Sequence, residues 1–127
     1  MAVAPVRLNH AVLFVADLDR AERFYVEVLG MEVAAREPRA NAVFLRSPRS
    51  GNHHDLGLFG VGSSAPPKQR GGIGLYHLAW QLDTIDELVE VREALRRRME
   101  EFQDDLRETA RRKGEKVRSD RPRTAGF

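Results

Sequence analysis

Apolar and polar residues alternate over residues 7–15 (RLNHAVLFV), which predicts a β-strand because successive side chains of a strand point to opposite faces. One face would carry Leu8, His10, Val12 and Phe14, and the other Ala11, Leu13 and Val15. Beyond this strand, Asp17 is a good N-cap, apolar residues recur at helical spacing, and Gly30 is a stop signal. The pattern therefore predicts a helix over residues 18–29.

Three short apolar segments, separated by turn-forming residues, predict further strands over 31–36, 42–47 and 54–60. The first 60 residues thus have the order β-α-β-β-β and are expected to form a first module, 1–60. A segment rich in Gly, Ser and Pro then predicts a flexible linker over 61–73.

The pattern starts again after the linker. Residues 74–82 (GLYHLAWQL) predict a strand, and Asp83 is placed to cap the next helix, with Asp86 completing a weaker capping box. His10 and His77 take equivalent positions in the two predicted strands, 67 residues apart. This order of elements predicts an internal repeat.

The second copy does not continue like the first. Apolar residues at a 3-4-4 spacing predict one helix over about 84–113, with Gly114 as the first breaker. We divide this part into the start of a second module, 74–98, and a polar helical extension with a disordered tail, 99–127. The predicted fold class is α+β: one βαβββ module followed by an incomplete module of a strand and a long helix.

The charge composition also changes between residues 1–90 and residues 91–127. The chain has 127 residues, enough for one modest core, and no cysteine, which excludes disulfides and thiolate metal sites. Residues 1–90 carry 9 basic and 11 acidic side chains, and residues 91–127 carry 12 and 8. Acids interleave with bases in the tail, as in a solvated helix, so nucleic-acid binding is not expected. The apolar runs are too short to span a membrane, and the N-terminus lacks a secretory pattern, so the expected location is cytoplasmic.

The four histidines, His10, His53, His54 and His77, are the first candidates for chemistry. Neutral imidazole is a common ligand of Fe, Mn, Zn and Ni, so two histidines on neighbouring strands would make two-thirds of a facial metal site. Alternatively, each is an ordinary half-buried histidine bonded to the backbone. The matching repeat positions of His10 and His77 favour the ligand interpretation.

Residues 8–33 and 72–88 resemble the openings of the two modules of the vicinal oxygen chelate superfamily, which includes glyoxalase I, bleomycin and fosfomycin resistance proteins, and extradiol dioxygenases. The shared signals are a strand histidine, the spacing from Asp17 to Phe24–Tyr25, and Leu29-Gly30 at the helix end. The resemblance covers about residues 6–98.

The phrase NHHDLGLF (52–59) resembles a fourth-strand motif of extradiol dioxygenases, the closest branch, and His54 matches their acid–base histidine. Strand alternation would place His54 on one face with Leu56 and Leu58, and Asp55 on the other face. In a glyoxalase-like protein a carboxylate from this strand binds the metal, which makes Asp55 the alternative metal ligand. A polar strand entrance without catalytic function is a third interpretation.

The resemblance implies a metal-dependent extradiol-type dioxygenase that cleaves the ring of a catechol-like, vicinal-oxygen substrate. His10 and His77 would hold Fe(II), with Mn, Ni, Zn or Co as alternatives, and His54 would move protons. Trp80 would face the planar substrate, or else pack in the core. The superfamily's final metal ligand, a glutamate on a later strand, is not matched, so an inactive form without a metal is also open.

Two other functions stay open: a non-catalytic small-molecule-binding module of resistance type, and a glyoxalase- or epimerase-like lyase or isomerase. Because three strands of the second module are not matched, the first sheet would expose an edge and an apolar face. We expect a homodimer, or another partner chain, to cover them. The other expectation is that the segment from about Met99 is foreign to the family.

Overall fold

The computed structural model of the chain describes residues 2–112. Up to β4 the helices and strands follow the predicted order, which confirms an α+β fold with a βαβββ module. The elements are β1 (Ala11–Val15), α1 (Leu18–Leu29), β2 (Glu32–Glu37), β3 (Ala42–Arg46), β4 (Leu56–Gly60) and α2 (Ile85–Arg112), with a short 3-10 helix at Pro38–Ala40.

The four strands form one sheet in the order β1-β4-β3-β2. β4 pairs in parallel with β1 and antiparallel with β3, and β3 pairs antiparallel with β2. A parallel pair needs a long connection, which α1, β2 and β3 together supply. The register aligns Leu13 with Leu58 and Val12 with Gly57, and each aligned pair shares one face of the sheet.

The core lies on the face of the sheet that α1 contacts. Its buried cluster consists of Met31, Val43, Leu45, Leu56 and Leu58. Partly buried apolar residues of β1 and α1 pack against this cluster. They include Ala11, Leu13, Val15, Leu18, Ala21 and Tyr25. Ala11, Leu13 and Val15, which the sequence places on one face of β1, therefore all lie on the core side of the sheet.

The opposite face of the sheet carries Val12, Phe14, Phe44, Gly57 and Phe59, and we call it the open face. Phe14 is 78% exposed and Val12 is 49% exposed. The Phe59 ring contacts the rings of Phe14 and Phe44 edge-on, with centroid distances of 6.4 Å and 5.9 Å. A Cβ at Gly57 would lie 3.3 Å from Phe44, so this glycine makes room for the aromatic cluster.

Both ends of α1 form as the sequence predicts. The Asp17 carboxylate accepts a hydrogen bond from the Arg20 N–H at 3.0 Å, which satisfies one of the free donors at the helix start. Gly30 ends the helix with φ 63°, in the left-handed region that favours glycine. These two residues fix where the chain enters and leaves the helix.

Two strands begin later than predicted. The ladder between β1 and β4 starts at the pair Ala11–Leu56, so residues 7–10 and His54 lie outside it. The Ala11 N–H donates to the Asp55 carbonyl at 3.1 Å, and the Asp55 N–H donates to the Leu45 carbonyl at 2.8 Å. Before Asp55, the chain lies in the loop after β3, which contacts residues 7–10 through the Asn52 side chain and not through a strand ladder.

The predicted strand over 74–82 is not formed. Among the described residues, no strand pairs with this segment, and without a ladder its backbone takes no regular structure. Leu78 still packs against the core cluster. The alternation of apolar and polar residues in this segment therefore does not produce a strand.

The chain divides into two compact units, Met1–Asp83 and Thr84–Phe127. The second unit contains α2, which begins with a capping box on Thr84 rather than on Asp83 as predicted. The Glu87 N–H donates to the Thr84 hydroxyl at 3.2 Å, and the Thr84 N–H donates to the Glu87 carboxylate at 3.3 Å. Thr with Glu three residues later satisfies two donors reciprocally, which the Asp83–Asp86 pair does not match.

The length of α2 agrees with the predicted helix as far as Arg112. Ion pairs within its own turns stabilise its polar surface, for example Arg96 with Glu93 at 3.0 Å and with Glu100 at 2.6 Å. No helix among residues 2–112 is long and apolar enough to cross a membrane. The predictions for Gly114 and for the tail lie outside the described residues.

Candidate functional site

A cleft of about 180 Å³ lies in the first unit, beside the start of β1. Three segments line it: the residues before β1, the loop before β4, and the segment after the linker. The lining residues are Leu8, Asn9, His10, Ala11, Asn52, Asp55, Leu78, Ala79 and Trp80. The polar side chains of the lining all come from the first two segments, and the third contributes only Leu78, Ala79 and Trp80.

His10 and His54 lie in contact next to this cleft. Their ring centroids are 4.5 Å apart, and the His54 ring is also 4.9 Å from the ring of Phe44. Nδ1 of His54 lies 2.9 Å from Nδ1 of His53, so one of these two nitrogens donates to the other. The structure thus brings together three of the four candidate histidines, His10, His53 and His54.

The His54 side chain lies on the opposite face of the sheet from the one that strand alternation predicts. Leu56 and Leu58 are buried in the core, whereas His54 contacts Phe44, a residue of the open face. The alternation does not apply because β4 begins at Leu56, so His54 belongs to the loop, where its direction is not tied to the pleat. The conformation of this loop, and not a strand, places His54 beside His10.

The surroundings of His54 disfavour its charged form. Burial lowers the pKa of His54 below its usual value, and the neighbouring His10 and His53 lower it further, against a smaller opposing effect of Asp55. His54 is therefore neutral at neutral pH and has a nitrogen that can accept a proton.

Asp55 organises the loop before β4. One of its carboxylate oxygens accepts from the Ser47 N–H at 2.8 Å, and the other accepts from the Ser50 hydroxyl and the Asn52 amide, both at 2.7 Å. Burial raises the pKa of Asp55, but these hydrogen bonds and nearby His54 outweigh it, so the pKa is lowered overall. Both oxygens of the alternative metal ligand are thus already engaged.

Sequence reasoning missed two asparagines that connect Asp55 to His10. Asn52 donates to Asp55 and, at 2.9 Å, to the backbone carbonyl of Asn9. Asn9 donates its amide to Asn52 Oδ1 at 3.2 Å, and its Oδ1 lies 2.9 Å from His10 Nδ1. The signal in the sequence was an asparagine beside each histidine motif, in NH (9–10) and in NHHD (52–55).

His77 and Trp80 lie on the irregular segment 74–82. The His77 side chain is exposed, and its ring packs on that of Tyr76, with a centroid distance of 5.4 Å. Trp80 lines the cleft and contacts the ring of Tyr25 at 6.5 Å, so it serves both the cleft and the packing of α1. The structure brings Trp80, but not His77, into the cleft lining that contains His10.

Within residues 2–112, no three His, Cys, Asp or Glu side chains lie close enough together to hold a metal ion. Imidazole and carboxylate groups are the right donor types for Fe(II), but an iron site of this kind uses two histidines and a carboxylate. The described residues of one chain therefore do not complete a metal site by themselves.

Comparison with known proteins places these features in a family. Residues 7–118 match the model of the Glyoxalase/Bleomycin resistance protein/Dioxygenase superfamily. The chain is 34% identical to the Catechol-2,3-dioxygenase of Bacillus subtilis (strain 168) over 82 residues, which are 64% of this chain and 28% of that protein. It is 35% identical to Metapyrocatechase 2 of Cupriavidus necator over 86 residues, 68% of this chain and 24% of that protein.

Among solved structures, the lactoylglutathione lyase of Agrobacterium tumefaciens is similar, with a TM-score of 0.51 and 26% identity. That match covers 73% of this chain and 70% of the lyase. The chain spans about a quarter of the length of these two relatives. With the family model matched over most of its length, the chain belongs to the Glyoxalase/Bleomycin resistance protein/Dioxygenase superfamily.

Proposed function

We propose that this chain is a module of a metal-dependent, extradiol-type dioxygenase that acts on a catechol-like substrate. The observation that carries the proposal is the contact of His10 with His54 beside the cleft. Similarity to two proteins named as catechol dioxygenase and metapyrocatechase supports the same chemistry.

His54 would act as the acid–base residue. A phenolic hydroxyl must lose a proton before the ring is cleaved, and a neutral imidazole within hydrogen-bond reach can accept it. The lowered pKa of His54 keeps the ring neutral and ready to accept at neutral pH. Trp80, which lines the cleft and is 40% exposed, would pack against the planar ring of the substrate.

We keep His10 and His77 as the proposed ligands of Fe(II), with Mn, Ni, Zn or Co as alternatives, although the structure does not bring His77 into the cleft lining that contains His10. A third ligand would come from a carboxylate outside the described residues, such as one of a second copy in a homodimer. When bound, the metal would supply the positions at which a diol and O₂ meet. Asp55 stays the alternative ligand, although its engagement in the loop counts against it.

Anaerobic loading with Fe(II), followed by catechol and air, tests the proposal through the yellow ring-cleavage product. We expect turnover in the wild type, a loss of about 10²–10⁴-fold in His54→Gln, and a much smaller loss in the matched His53→Gln. His10→Ala should lower the iron content. Absence of both stoichiometric iron and turnover in the wild type would rule out the active form.

A non-catalytic binding module is the second candidate, favoured by the absence of a three-ligand group among residues 2–112. In that case catechol would bind the cleft without a metal. Calorimetric binding of catechol that survives a chelator and the His10→Ala change would support this candidate over the enzyme. The likeness to a lyase leaves glyoxalase-like chemistry with Ni, Zn or Co as a further candidate.

A further inference from the structure

We propose that Asn52 and Asn9 are positioning residues that fix the tautomer of His10, so that Nδ1 carries the proton and Nε2 presents its lone pair. The two asparagines and Arg7 form a chain of hydrogen bonds whose direction is set at one end. Its importance for metal binding rests on the proposed function, but the tautomer itself does not.

The orientation of the Asn52 amide is determined by partners that can act in only one way. Nη2 of Arg7 lies 2.5 Å from Asn52 Oδ1, and a guanidinium only donates, so this atom must be the amide oxygen. Asn52 Nδ2 lies 2.9 Å from the backbone carbonyl of Asn9, which only accepts, so this atom must be the amide nitrogen. If the Asn52 amide were rotated by about 180°, its nitrogen would face the donating Arg7 and its oxygen would face the carbonyl oxygen of Asn9. The assignment therefore cannot be reversed.

The orientation of the Asn52 amide in turn determines the orientation of the Asn9 amide. Because Asn52 Oδ1 accepts, the Asn9 atom 3.2 Å from it must be the donating Nδ2. The other atom of the Asn9 amide is therefore Oδ1, which can only accept, and it lies 2.9 Å from Nδ1 of His10. Nδ1 must donate across this distance, and a neutral imidazole has only one N–H.

The consequence for His10 concerns which nitrogen is available. With the proton held on Nδ1, Nε2 keeps its lone pair for a metal ion or for a proton. Ligands of this kind are commonly oriented by an acceptor bound to the other ring nitrogen. Here the acceptor is a neutral amide, and the charged groups Arg7 and Asp55 act through Asn52.

The test is a ¹H–¹⁵N correlation spectrum of the histidine rings in the metal-free protein at about pH 8, above the ordinary pKa of histidine. The His10 signals are assigned by their loss in His10→Gln. In the wild type we expect Nδ1 to be protonated and Nε2 to be unprotonated. In Asn9→Leu and in Asn52→Leu the tautomer ratio should move about fivefold toward Nε2–H, the factor that one typical hydrogen bond contributes.

Two controls separate positioning from simple loss of structure. Ser50→Ala removes a hydroxyl that donates to Asp55 and accepts from the Asn52 N–H, so it disturbs the same loop but not the chain of amides. It should keep the wild-type tautomer. Arg7→Met should shift the ratio toward Nε2–H, and Arg7→Lys, which still only donates, should restore it.

Wild-type His10 protonated on Nε2, or ring signals unchanged in both Asn9→Leu and Asn52→Leu, would overturn the proposal. Because no metal and no substrate are added, this result is independent of catalysis. A protein without iron or turnover but with the expected tautomer would refute the proposed function and leave this inference standing.

Discussion

His54 lies where burial and two other imidazoles act together against its protonated form. Its neighbour Asp55 holds its charge because hydrogen bonds from the loop exceed the cost of burial. The two adjacent residues thus differ in their chemistry: one is a neutral proton acceptor beside the cleft, and the other is an ionised group that fixes the loop. This division favours His54 over Asp55 as the reacting group.

The lowered pKa of His54 predicts how stability changes with pH. A group whose pKa is lower in the folded state binds fewer protons there than in the unfolded chain. Its contribution is complete above the unfolded value of about 6.5 and is lost as the pH falls through the folded value. We expect the wild type to lose more unfolding free energy than His54→Gln between about pH 7.5 and pH 5.5, as measured by urea denaturation.

His77→Gln is the matched control for this measurement, since it removes a histidine but leaves the His10–His54 contact in place. It should keep the wild-type dependence on pH. Asp55 does not interfere, because its lowered pKa places its titration below this range. Equal slopes in the wild type and in His54→Gln would contradict the assignment.

At the scale of elements, the segments with strong local signals were predictable. The helix between Asp17 and Gly30 matches its predicted limits because a cap, an apolar repeat and a left-handed glycine all act within the segment. The segment 74–82 was not predictable in the same way, because a strand exists only with a partner that hydrogen-bonds to it. Alternation in the sequence concerns the directions of the side chains, and it does not supply the pairing partner that a strand needs.

The same reasoning explains which parts of the site were missed. His10 and His54 could be selected by residue type and motif, since histidine is uncommon and chemically distinct. Asn9 and Asn52 lie 43 positions apart, and their connection depends on the loop before β4 turning back over residues 7–10. Only the folded chain brings these two amides together.

The start of α2 gives a prediction at this scale, because the sequence and the structure name different caps. Thr84→Ala removes the hydroxyl that accepts from the Glu87 N–H, which should cost about 1 kcal/mol in the first turn. Hydrogen exchange of the first-turn amides of α2 should accelerate about fivefold. Asp83→Ala keeps both capping hydrogen bonds and should accelerate the exchange less. A larger effect of Asp83→Ala than of Thr84→Ala would identify Asp83 as the cap.

Within the first unit, the open face is an apolar surface on which large side chains remain exposed. Three phenylalanines contact one another there, and Phe14 remains 78% exposed. β1 and β2 are the edges of the sheet, so each has backbone groups without a ladder partner on one side. An apolar face next to an open edge favours association, and a second copy of the chain would offer the same face in return.

This arrangement predicts a homodimer that depends on Phe14. Phe14→Glu places a charge on the open face, on its edge strand β1, and burying that charge in an interface would cost more than the interface gains. We expect the wild type to sediment as a dimer at micromolar concentration and Phe14→Glu to sediment as a monomer, with unchanged secondary structure by circular dichroism. Val3→Glu is the matched control, since Val3 is 95% exposed and lies outside the sheet.

The dimer would also bear on the metal, because the described residues of one chain do not complete a three-ligand site. If a second copy supplies the carboxylate, Phe14→Glu should lower the iron content together with the dimer fraction, although Phe14 cannot itself bind iron. A monomeric wild type would contradict the homodimer. A monomeric Phe14→Glu variant that keeps its iron would show that the third ligand belongs to the same chain.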